Sequence, residues 1–101
     1  MSTFDDRETA FEAKYAHDVE MQFKAAARRN KLLGLWAAEI LGKTGDAVQQ
    51  YVSDVIKSDL QEAGHEDVFR KVSADLGAKV DEATLRAKMQ DLMVEAQAKL
   101  L

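Results

Sequence analysis

The sequence has no cysteine and no proline. Without cysteine, neither a disulfide framework nor a thiolate metal site can form. Without proline, no residue forcibly breaks a helix interior, which fits an all-helical chain. Glycine is scarce, at 34, 42, 45, 64 and 77 only, and all but Gly34 fall where helical periodicity resets. Long apolar runs are missing too. The longest, from Leu32 to Ile40, is interrupted by Glu39, and a membrane span needs about 18 such residues. No signal-peptide pattern opens the chain, since Met-Ser-Thr-Phe-Asp-Asp is polar and acidic. A cytoplasmic protein is expected. Excess positive charge is also lacking: the formal net charge is −4 and the pI about 5.1. That excludes a general nucleic-acid binder, which needs a basic face.

One absence is local. Residues 1–31 contain no Leu and no Ile, and all ten leucines come later. The same stretch holds four of the seven aromatics, Phe4, Phe11, Tyr15 and Phe23. Helical cores are usually built from Leu and Ile, whereas aromatics dominate binding hot spots. Two readings stay open: a segment that docks on something, or a first helix packing its aromatics on its own domain. At 101 residues the chain is long enough for one domain with a modest core.

The pattern predicts four amphipathic helices. The first can start near Thr3, with Asp5, Asp6 and Glu8 on the positive end of the helix dipole. Phe4, Phe11, Tyr15, Val19 and Phe23 make a narrow stripe on a charged rod, and Val19, Phe23, Ala26, Leu33, Ala37 and Ile40 carry a helical face to Gly42. The sequence therefore divides into an N-terminal segment 1–18, only partly ordered alone, and a four-helix bundle 19–101. Expected helices are 19–41, 45–63, 66–76 and 82–100. Gly42 to Gly45 is a turn, and Thr44 is expected to cap the second helix. Its apolar face is Val48, Tyr51, Val52, Val55 and Leu60, with Gly64 as C-cap. Val68, Phe69, Val72 and Leu76 line the third, with Glu66–Arg70 and Asp67–Lys71 pairs. Asp81 caps the fourth, Val80 staples onto Leu85, and Leu85, Met89, Leu92, Ala96 and Leu100 form its stripe. Short connections between such helices argue for an antiparallel bundle. Gly34, inside the first helix, marks a close helix–helix approach.

Chemistry is sparse. Gly42-Lys43-Thr44 resembles the end of a phosphate-binding loop, but Ala37 stands where that pattern needs Gly, and a helix precedes it instead of a strand. A helix stop followed by a cap explains it; an anion near Lys43 and Thr44 is the alternative. His17-Asp18 and Glu62-x-x-His65 lack metal-site spacing and a third ligand, and no metal or other cofactor is expected. No nucleophilic arrangement is present, so the chain does not read as an enzyme. Lys24, Arg28, Arg29 and Lys31 form a basic cluster that fits a solvated helix face or a charged rim around a docking surface.

The residues resemble one family. Phe4-Asp5-Asp6-Arg7-Glu8, then Ala10 through Asp18, is similar to the N-terminus of the zeta subunit of the alphaproteobacterial F-type ATP synthase. So are Ala27-Arg28-Arg29-Asn30-Lys31-Leu32-Leu33-Gly34-Leu35-Trp36, Leu41 to Gly45, and Glu62 to Lys71. The first 45 residues are the specific part. The resemblance implies a regulatory four-helix bundle that inhibits ATP hydrolysis by the synthase head. It also implies that segment 1–18 enters an alpha/beta catalytic interface and reaches the gamma subunit. Phe4, Arg7, Phe11, Lys14 and Tyr15 would then bind the partner. A monomer when free, peripheral to the inner membrane when bound, is expected. A small nucleotide-binding or sensing module using Lys43 and Thr44 is the alternative.

Overall fold

A computed structural model of the chain describes residues 3–59 and 66–99, with side chains from residue 19 onward. Four α-helices follow in order: α1 (Thr3–Ile40), α2 (Asp46–Ser58), α3 (Glu66–Leu76) and α4 (Glu82–Lys99). A 3-10 turn over Gly77–Lys79 joins the last two. Among the described residues there is no strand. The chain is all-α and its helices form a bundle, as the periodicity predicts.

The core is drawn from all four helices. Leu33, Ala37 and Ala38 of α1 meet Tyr51 and Val55 of α2. Val68, Phe69, Val72 and Leu76 of α3 and Leu85, Met89 and Leu92 of α4 complete the cluster. These are the apolar stripes read from the sequence, because residues three and four apart share one helix face. α1 packs on each of the other three helices. That explains why its 32–41 stretch is apolar nearly all round: different faces meet different neighbours.

The turns have identifiable causes. Lys43 N–H donates to Ala38 O at 3.0 Å and Gly42 N–H to Glu39 O at 3.1 Å. That pairing is a Schellman ending to α1, and Gly42 supplies the positive φ it requires, 75°. The start of α2 differs from expectation. Its N-cap is Gly45, at φ 60°, with no side-chain cap bond, so Thr44 does not cap it. Thr44 contributes only its carbonyl, which accepts from Ala47 N–H at 3.3 Å. A left-handed cap position suits glycine and penalises a β-branched residue. Asp81 does cap α4: Thr84 N–H donates to its Oδ1 at 2.7 Å. Val80 is half-buried and packs against the core cluster, of which Leu85 is a member.

α2 is shorter than its periodicity suggests, ending at Ser58 rather than 63. Ser58 Oγ donates to Val55 O at 2.6 Å, and Asp59 N–H turns back to Ile56 O at 3.3 Å. A hydroxyl competing for the carbonyl and a tightened three-residue bond are both helix-ending devices. Leu60, Gly64 and Leu100 lie outside the described residues. On α3, Arg70 also bonds Asp67, at 3.1 Å, and Lys71 reaches forward to Asp75 at 3.0 Å rather than back to Asp67 as expected.

Candidate functional site

α1 is 38 residues long, which at 1.5 Å per residue is about 57 Å. α2, α3 and α4 have 13, 11 and 18 residues. One helix therefore outruns the bundle it anchors, and the molecule measures 61 × 28 × 25 Å. No break separates the expected N-terminal segment from the first bundle helix. The backbone passes from one to the other as a single rod.

The apolar face of that rod changes role along its length. Asn30, Leu33 and Ala37 are buried. Val19 and Phe23, on the same face by helical spacing, are 48% and 72% exposed. The sequence placed both in the bundle face, and the structure corrects this. The periodicity is continuous, but the shorter helices leave that part of the face uncovered. Phe4, Arg7, Phe11, Lys14 and Tyr15 belong to α1, but their side chains lie outside the described residues. Val19 and Phe23 extend the aromatic stripe of those positions toward the bundle. Sequence spacing alone had linked them to it, without telling which part is covered.

The basic cluster is split. Lys24 pairs with Glu20 at 3.1 Å on the exposed surface. Arg28 and Lys31 are exposed on the outer side of α1. Arg29 turns inward and is only 5% exposed, with Nε and Nη2 donating to Asn30 Oδ1 at 3.1 and 2.8 Å. The cluster is thus not one solvated face.

Lys43 and Thr44 sit in the exposed turn between α1 and α2. The Lys43 N–H is spent on closing α1, so it is not free to cradle a phosphate. The Lys43 ammonium lies 5.5 Å from the Tyr51 ring centre, and Lys71 lies 5.3 Å from it. A shallow groove of about 370 Å³ runs there, lined by Leu41, Lys43, Tyr51, Asp54, Lys71 and Asp75. Two lysines and two aspartates balance its charge. Tyr51 Oη donates to Asp75 Oδ2 at 2.9 Å, and Lys71 Nζ binds the same oxygen. Burial and then the Asp75 carboxylate push the Tyr51 phenol well above the usual tyrosine range. Such a network fixes α2 against α3.

Among the described residues no group of three or more potential ligands could hold a metal, and no helix is long and apolar enough to cross a membrane. His17 and His65 fall outside the described side chains. The prominent candidate surface is therefore the uncovered stripe of α1, which suits a macromolecular groove rather than a small substrate.

The comparisons agree with a regulatory reading. The family model described as ATPase inhibitor subunit zeta matches residues 1–99. A solved solution NMR structure is similar at 60% identity and TM-score 0.72, over 79% of this chain and 94% of that one. No curated protein matches the chain.

Proposed function

Because the chain belongs to the ATPase inhibitor subunit zeta family, we propose that the projecting part of α1 is its inhibitory element. It is a regulatory subunit of the ATP synthase and not an enzyme. On this reading the helix enters a catalytic interface between alpha and beta subunits of the synthase head and reaches the gamma subunit. The bundle stays outside as an anchor at the periphery of the membrane-bound complex. Phe4, Arg7, Phe11, Lys14 and Tyr15 make the contacts, and Val19 and Phe23 extend them.

The observation that carries this reading is the exposure of Phe23, 72%, on a face that elsewhere is core. A large aromatic left in water on a rigid helix gains by burial in a partner. Residues 1–18 offer three more aromatics at helical spacing and no Leu, Ile or Val. Amphipathic helices that dock in grooves present anchors in this way. Eighteen helical residues span about 27 Å, long enough to reach deep between two subunits.

Inhibition follows from state selection. A rotary ATPase must open and close its catalytic interfaces in turn. A helix that binds one interface state better than the others stabilises it by that difference, and rotation in the hydrolytic direction stalls. The test is ATP hydrolysis by the purified synthase head, with the full chain and with a chain lacking residues 1–18. The full chain inhibits and the shortened one does not, while circular dichroism shows that the bundle stays folded. Full inhibition by the shortened chain would overturn the reading.

A further inference from the structure

Arg29 is a buried cation whose position the inhibitory helix does not explain. It is 5% exposed. Its Nε and Nη2 both donate to one neutral atom, Asn30 Oδ1. Among the described residues no carboxylate lies within ion-pair distance of it. Burial lowers its pKa, and the more distant Asp59 only partly offsets this. A buried charge without a paired counter-ion is costly and is usually retained for a reason.

The guanidinium borders a cavity of about 260 Å³ between α1 and α4, lined by Arg29, Arg86, Met89, Gln90 and Met93. Arg86 is already neutralised. Its Nη1 and Nη2 bind Glu66 Oε1 and Oε2 at 3.0 and 3.3 Å, and it stacks on Phe69 with its central carbon 3.8 Å from the ring centre. Arg86 is bonded to Glu66, so among the described residues Arg29 is the cation of the wall that has no carboxylate bonded to it. The Nε edge of Arg29 is taken by Asn30, which leaves Nη1 for a ligand. Two methionines make the rest of the wall apolar and adaptable.

We propose that this cavity is a binding site for a monocarboxylate with a short apolar body, its carboxylate on Arg29 Nη1 and its chain against Met89 and Met93. A single guanidinium without a bonded carboxylate suits a monoanion better than a polyphosphate. The methionine wall favours an acid with a hydrocarbon part over a bare inorganic ion. Gln90, at the exposed edge, can donate to the second carboxylate oxygen. The carboxylate can come from a free small acid or from an acidic side chain of a partner protein, and the two sources are separable by experiment.

The probe is hexanoate, added to the full chain carrying labelled methionine methyl groups. Hexan-1-ol and inorganic phosphate are the comparison arms. Hexanoate shifts the Met89 and Met93 resonances saturably, with a dissociation constant on the order of millimolar for so few atoms. Hexan-1-ol and phosphate do not. Arg29→Met weakens hexanoate binding by about 10- to 100-fold, the usual worth of a hydrogen bond to a charged group. Gln90→Glu, an exposed change with little consequence for folding, weakens it as well by placing a competing negative charge at the mouth. If binding is specific but a free acid is not the source, the synthase head without hexanoate shifts the same methyl groups, and Arg29→Met removes that shift. Equal shifts with hexan-1-ol, or hexanoate shifts that survive both substitutions, would overturn the proposal. So would no saturable shift from either hexanoate or the synthase head. Loss of inhibition on deleting residues 1–18 bears on none of these outcomes.

Discussion

Gly34 of α1 and Val52 of α2 touch so closely that a Cβ on Gly34 would stand 3.0 Å from the Val52 Cα and 3.2 Å from its Cγ2. This glycine is not a site and not a helix end. It is the point where two helix backbones come together, because it is bare. The longest helix is locked to the bundle there, which lets its free end project.

Gly34→Ala should therefore destabilise the protein even though it improves helix propensity. Propensity favours Ala by about 1 kcal/mol, while overpacking costs about 1–3 kcal/mol. The nearest obstacle is backbone, so α2 itself must shift, and a net loss of up to about 2 kcal/mol is expected. Urea unfolding reads it as a lower midpoint with an unchanged slope. A gain in stability would mean that the two helices separate freely.

Phe23→Ala and Phe11→Ala should each raise the concentration for half-inhibition of ATP hydrolysis by about 30- to 1000-fold. A truncated aromatic anchor commonly costs about 2–4 kcal/mol of binding. Glu12→Gln should change it far less, because exposed charge pairs contribute about 0–1 kcal/mol. Phe23 is mostly in water, so its removal should leave stability within about 0.5 kcal/mol. Equal inhibition by the wild type and Phe23→Ala would confine docking to residues before 19.

Tyr51→Phe removes the bond to Asp75 that ties α2 to α3, at an expected cost of about 0.5–1.5 kcal/mol. The same bond and burial raise the phenol's pKa in the folded protein. Its contribution to stability is thus fully present below the ordinary tyrosine range and is lost as pH rises through the raised value. In a Tyr15→Phe background, ultraviolet titration should show Tyr51 ionising above the ordinary range. Ionisation at the ordinary value would contradict the buried bond.

Asp81 acts in the opposite direction. The Thr84 N–H holds its carboxyl below the usual range. The stabilisation it gives is present above the ordinary carboxylate pKa and is lost as pH falls through the depressed value. Asp81→Asn keeps the capping oxygen and should retain much of the neutral-pH stability while flattening the acid limb of the thermal-midpoint profile. Asp81→Ala should lower the midpoint at neutral pH as well. An unchanged acid limb in Asp81→Asn would show that other carboxylates set it.

The sequence by itself determined the helices and their inner faces. Val68, Phe69, Val72 and Leu76, or Leu85, Met89, Leu92 and Ala96, are buried together because helical geometry alone brings residues three and four apart to one side. Local chemistry also announced Asp81 as a cap and Gly42 as a helix stop, since both act within a few residues of themselves. Only the tertiary structure decided what covers each face. Val19 and Phe23 carry the same periodicity as Leu33 and Ala37, yet they stay exposed, because no neighbour covers that side of α1 at their level. Arg29 and Arg28 are adjacent identical residues, yet one is buried beside a cavity and the other faces water. A rotation of 100° per residue separates them, and which side meets a neighbour is set by helix packing that no local pattern records.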